Sequence, residues 1–277
     1  MNKQVEREIT KIYNSVYKQV FNKVNVKSLA NGDTSPIITK IAFYQNSLKY
    51  EEFAKKFSQE LAKKGIGRER GLWRKYYQAA KSKHVVGLPY SYNAYEQNIM
   101  KNIIKHNYTM IKSIPQQMNK ILEYKTVNDL IDEVANGKLP RGAFKKELDN
   151  HGIKNAKLIA RTETAKLQSA ITETRATEIG SVVYEWIASH DKRTRPSHKE
   201  MDGVIVFWRP DAQKPLRDNM RGNAGEFPNC RCYPAPILDE SDLTKSNYSV
   251  YDYRKDEIVK NISKKKLLEW IKLKNIV

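Results

Sequence analysis

The chain has 277 residues, with 50 Lys and Arg against 31 Asp and Glu, for a formal net charge of +19. That length allows one large domain or two small ones, and no run reaches the ~18 consecutive apolar residues of a membrane-spanning helix. The two cysteines form a single Cys-Arg-Cys, which excludes a disulfide framework. So large a cationic excess calls for a polyanionic partner, nucleic acid before membrane surfaces.

The first twenty residues carry charges throughout and lack the apolar stretch of a signal peptide, so synthesis and residence in a cytoplasm are expected. Val5, Ile9, Ile12, Val16 and Val20 recur at three- and four-residue steps and predict a helix. A turn at Asn31-Gly-Asp33 precedes a second helix that starts at Ser35-Pro36, proline suiting a first turn. Ile37, Ile41, Tyr44, Leu48, Phe53, Phe57 and Leu61 are its expected buried stripe, and Gly65 and Gly67 close it. Arg68 to Lys81 is basic and aromatic together. A longer helix is expected from Asn93, with Tyr95, Ile99, Ile103 and Ile111 on one side, until Pro115 interrupts it. Two short helices follow within 125–150, separated by Gly137-Lys-Leu-Pro140.

Near Gly152 the pattern changes. Lys154 to Ile179 predicts one long helix, with a seam of small residues at Leu158, Thr162, Ala165, Ser169, Thr172, Ala176 and Ile179 that lets another backbone approach closely. Gly180 is its expected C-cap. Alternation then gives a strand at Val182–Ile187 and a second at Val204–Trp208, entered through Asp202-Gly203. Residues 209–229 form a long ordered loop, and Cys230 to Tyr233 a last short strand ended by Pro234 and Pro236. From Tyr251 onward the chain is expected to be helical again. The fold class is therefore α+β and α-rich: a helical portion at 1–150, a small domain at 151–240 with a long helix on a short antiparallel sheet, and a basic helical tail at 241–277.

Four pieces in order carry a family resemblance: Ile159-Ala-Arg-Thr-Glu-Thr164, Tyr184-Glu-Trp186, Arg195-Pro-Ser-His198 with Met201-Asp-Gly203, and Asn229-Cys-Arg-Cys232. Together they resemble the C-terminal domain of the phage Mu F-like minor head proteins over roughly residues 150 to 240. Lys214 to Asn219 stands where typical members have a Pro-Gly pair. The resemblance implies a non-enzymatic minor capsid protein of head morphogenesis. It would sit in the virion interior near the portal, with portal, scaffold or major capsid proteins as partners, and would accompany or guide double-stranded DNA during packaging or ejection. It also marks Arg161, Thr162, Glu163, Trp186, His198, Asp202, Gly203, Asn229, Cys230, Arg231 and Cys232 as motif positions.

Each chemical constellation has a plainer alternative. Cys230 and Cys232 with His198, and His190 nearby, suit zinc in ligand type. One intervening residue is short for a structural zinc pair, so buried thiols on a strand with no cofactor is the preferred reading. Arg161 and Glu163 diverge by about 200° on a helix, which favours structure over a catalytic base, with one of them bracing the His198 loop. His198 with Glu200, Asp202 and the cysteine pair is the ligand set of the rival reading, a metal-dependent nuclease or other hydrolase. Arg68, Arg70, Arg74 and Lys75 with Trp73, Tyr76 and Tyr77 form the candidate DNA surface; alternatively Leu72, Trp73 and Tyr76 face the core. Lys264, Lys265 and Lys266 are the tail's nucleic-acid candidates, and Leu267, Leu268, Trp270 and Ile271 give that tail an apolar side that suits a membrane surface instead.

Overall fold

The computed structural model describes residues 3–21, 28, 33, 35–67, 69–123, 132, 133, 136, 141–208 and 214–274. Arg68, most of the turn at Asn31 and the Gly137–Pro140 break lie outside them. In chain order the helices are α1 (Lys3–Phe21), α2 (Ser35–Gln45), α3 (Leu48–Ile66), α4 (Arg70–Ser82), α5 (Tyr92–Glu123) and α6 (Arg141–Glu178). Then follow β1 (Val183–Ile187), the short helix α7 (Pro196–Glu200), β2 (Val204–Phe207), β3 (Leu216–Arg217), β4 (Met220–Arg221), β5 (Tyr233–Ile237), β6 (Asn247–Asp252), β7 (Glu257–Ser263) and α8 (Lys264–Lys274). No described helix is long and apolar enough to cross a membrane.

Two compact units form, and their boundaries fall inside α3, α5 and α6. One comprises Asn2–Lys64 with Ile104–Glu163, the other Gly65–Ile103 with Thr164–Val277.

In the first unit, α1 buries the whole expected stripe of Val5, Ile9, Ile12, Val16 and Val20. The second predicted helix is in fact two. The Ser47 hydroxyl donates to the Tyr44 carbonyl and accepts the Tyr50 N–H, closing α2 and capping α3 at once. The helical phase restarts there, and Leu48 is left exposed rather than buried. Pro115 does not interrupt α5, which runs on to Glu123. A proline removes the N–H that would pair with the carbonyl four residues back, here Ile111, and the Tyr50 hydroxyl donates to that carbonyl instead. Likewise α6 begins at Arg141 and passes through Gly152. A Cβ there would meet the Tyr17 ring at 2.5 Å, so this glycine is what lets the ring lie on the helix.

In the second unit the five-stranded sheet runs β5-β1-β2-β6-β7. Its neighbours are antiparallel except β2 and β6, which are parallel. One face buries Val183, Ile205, Phe207, Val250 and Ile262 with Leu267 of α8, and Leu268, Trp270 and Ile271 pack against the same cluster. The stretch expected as helix from Tyr251 is instead the end of β6, a turn and β7 as far as Ser263. Its β-branched and aromatic residues pair across β6 and β7, with a register shift between Tyr248 and Val250. On the other side of the sheet Tyr184 stacks on Trp208 and donates to Asn223. Asn223 belongs to a loop that lies against α6, where a Cβ on Gly225 would sit 3.4 Å from the Ala165 carbonyl.

Pro234 and Pro236 do not end the last strand; they lie inside β5, from which Cys230 and Cys232 are excluded. β5 is an edge strand, and its prolines face Trp186 and Tyr184 in register. Alternate residues of an edge strand turn their N–H away from the neighbour, and proline is tolerated at those.

Candidate functional site

The motif residues from Trp186 to Cys232 gather around one imidazole. β1 presents Trp186, and Arg195-Pro196 starts α7 so that His198 turns inward, 2% exposed. The Phe227 ring stands edge-on to the imidazole at 4.9 Å and that of Trp186 at 5.5 Å. Asn229 adopts a left-handed backbone, φ 53°, just before the cysteines. His198 Nδ1 lies 3.4 Å from Cys230 Sγ and 3.5 Å from Cys232 Sγ. All three ligand atoms fall within 4.8 Å of one another, and all three residues are buried. The cysteines are buried as expected, although not on a strand.

The sulfurs sit among donors. The Cys232 N–H serves Cys230, and the Ser189 N–H serves Cys232. The Trp186 indole N–H favours the Cys232 thiolate, without being aimed well enough for a full hydrogen bond. The hydrogen bond from Cys232 pulls the Cys230 thiol far below its ordinary range, and the same bond together with burial pushes Cys232 up.

On the far side of the ring, Nε2 is 3.1 Å from Asp218 Oδ2. The ring N–H is not directed squarely at the oxygen, so the contact is electrostatic rather than a good hydrogen bond. Asp218 is itself held by the Ser197 hydroxyl at 2.6 Å and by Arg195 Nε at 3.2 Å. It occupies the two-residue turn of the β3–β4 hairpin, where Asp218 and Asn219 have φ of 54° and 59°. Asp and Asn accept that region better than most residues, so Lys214–Asn219 makes a tight turn without a glycine. The sequence reading missed Asp218; the adjacent Asp-Asn pair was a turn signal, but its reach to His198 depends on the hairpin.

The remaining motif positions are braces. Arg195 donates to the Pro228 carbonyl at 2.8 Å. Both amino groups of Arg231 meet the Asp191 carboxylate, one at 2.7 Å. Asp202 accepts the Ala188 N–H at 2.8 Å and pairs with His190 Nε2 at 2.6 Å. Burial pushes the Asp202 carboxyl up, but the Ala188 and His190 bonds outweigh it and hold the pKa below its usual value. Gly203, with φ 75°, donates to the Trp186 carbonyl. In α6 the Thr162 hydroxyl donates to the Leu158 carbonyl, and Arg161 lies 3.7 Å from Glu6.

A family profile described as Phage Mu protein F like protein matches residues 125–234. This part of the chain is phage Mu F-like. The match supports a phage head-related protein. An uncharacterized protein of Haemophilus influenzae is 35% identical over 143 residues, 51% of this chain and 30% of that protein. A protein of Enterococcus faecalis named NAD(+)--arginine ADP-ribosyltransferase EFV is 29% identical over 231 residues, 74% of this chain and 43% of that protein. The chain thus spans less than half the length of these curated relatives. No solved structure matches it.

Outside the Mu F-like segment the cationic candidates are unequal. Glu96 engages Arg70 through both carboxylate oxygens, one at 2.8 Å from Nε. Arg74 lies over the Tyr92 ring at 5.5 Å, and Lys75 is exposed. Trp73 faces inward as the core alternative has it, joined by Tyr77, whereas Leu72 and Tyr76 are exposed. In α8, Lys265 and Lys266 are exposed, and Lys264 reaches Glu240 at 4.0 Å. The apolar side of α8 is spent on the sheet, which leaves the membrane-surface reading of the tail without its apolar face. Asp202, named for the nuclease reading, pairs with His190, while His198 faces sulfur on one side and Asp218 on the other.

Proposed function

We propose that the chain is a minor head protein of a phage particle, built into the head through contacts with portal, scaffold or major capsid protein. In this reading it resides in the virion interior and meets packaged double-stranded DNA without sequence preference, during packaging or ejection. The observation that carries the proposal is the agreement between the Mu F-like match at 125–234 and the single braced cluster its motif residues form. That cluster is buried rather than opening as a reaction centre. The net charge of +19 supports the DNA contact, since cations exchanged for condensed counterions bind any duplex. The activity named for the Enterococcus faecalis relative is not carried over, because more than half of that protein lies outside the match.

Affinity for unrelated duplexes should be similar at low salt and fall together as salt rises, with a log–log slope of about −0.9 per phosphate neutralised. Charge reversal at Lys75, Lys265 and Lys266 should flatten the slope, and binding indifferent to salt would refute the DNA contact. Mass spectrometry of purified virions tests head residence. Cleavage of plasmid in magnesium, manganese or zinc, lost on replacing His198, would favour the hydrolase instead.

A further inference from the structure

We propose that His198 Nδ1, Cys230 Sγ and Cys232 Sγ are the protein ligands of one tetrahedral zinc ion that ties α7 to the Cys230–Cys232 segment. Zinc bonds of ~2.3 Å to sulfur and ~2.05 Å to nitrogen, at tetrahedral angles, separate neighbouring ligand atoms by about 3.6 Å. The observed separations are 3.4 and 3.5 Å. A thiol-to-imidazole hydrogen bond also spans such a distance, but Nδ1 has a single lone pair and cannot accept from both sulfurs. Two sulfurs equidistant from one nitrogen are better explained by a cation shared among the three.

Backbone N–H groups serve both sulfurs, and the indole N–H favours Cys232; such donors stabilise a metal-bound thiolate and would gain little from a neutral thiol. Opposite the cluster, Asp218 faces Nε2 and favours the ring proton on that nitrogen, which leaves the Nδ1 lone pair to the metal. Soft sulfur with one imidazole selects zinc over magnesium or calcium. Trp186 and Phe227 flank the ring, and no further His, Cys, Asp or Glu joins the group among the described residues. The three buried residues thus supply three of the four positions that a tetrahedral zinc ion takes.

The test uses the untagged full chain, reconstituted with zinc and then with cobalt(II). One zinc per chain is expected, and a cobalt spectrum with intense tetrahedral bands and a sulfur-to-cobalt charge-transfer band. Chelator should lower Tm, and zinc but not magnesium should restore it; this works on the unmutated protein even if cysteine variants fail to fold. Cys230→Ser should weaken the charge-transfer band, and Asp218→Asn should keep it while reducing zinc affinity roughly 10–100-fold. Substoichiometric zinc, a cobalt spectrum without charge transfer, or a chelator-insensitive Tm would overturn the assignment.

Discussion

The two units bury polar groups in opposite ways. In the unit of Asn2–Lys64 and Ile104–Glu163 the interior is aliphatic and tyrosine-rich, and its polar atoms reach out singly to neighbouring carbonyls: Tyr50 to Ile111, Asn107 to Ser58. In the sheet unit an arginine, a histidine and two cysteines are buried together with the apolar core. Neutral donors ask for one acceptor each, and a fold can supply it locally. Buried charge and sulfur ask for several partners from distant parts of the chain, so they tie loops to strands. The second arrangement specifies a single geometry more tightly and loses more when one member is removed.

The largest test of this contrast is Arg175. It is 2% exposed, donates to the Ile66 carbonyl at 2.6 Å and lies over the Trp73 ring at 5.4 Å. Arg175→Leu should destabilise the protein by about 3 kcal/mol in urea unfolding, because it strands carbonyl and ring together. A loss well under 1 kcal/mol would erase the distinction between the units. Next comes Tyr50→Phe, expected to cost about 1–2 kcal/mol by leaving the Ile111 carbonyl without its donor. Ala at 115 restores the helical N–H, so the same substitution made on a Pro115→Ala background should cost less, a coupling that a double-mutant cycle reads directly. Equal costs on both backgrounds would mean the hydroxyl does not compensate for the proline.

The smallest effect concerns Glu173, whose carboxyl is held above its usual pKa by burial, with Glu226 nearby and Lys214 opposing. An acid with a raised folded pKa stabilises the fold below its unfolded value and loses that contribution as pH rises through the folded one. Glu173→Gln should therefore raise Tm slightly at neutral pH and leave it unchanged in acid. A gain of equal size at both pH values would point to packing instead.

Much of this was legible from residue order. The stripe of α1, the small-residue helix ending before Gly180, β1 and β2 all follow from local periodicity, and the four motif pieces pointed to the family whose profile matches 125–234 and to the three residues that meet. What escaped depended on partners remote in sequence. Pro115 stays helical because Tyr50 answers for it, and Leu48 is exposed because Ser47 restarts the helix. The 251–263 stretch pairs as strands because β6 finds β2. Asp218 reaches His198 only through a hairpin whose left-handed turn has no glycine to announce it.

The two prolines of β5 have a consequence for assembly. Their register with β1 directs their nitrogens toward the outer rim of the sheet, so that rim offers oxygen atoms but no amide hydrogens at 234 and 236. A foreign strand arriving there would find half of its bonding ladder missing. Any lengthening of the sheet by an added strand is thereby steered away from β5.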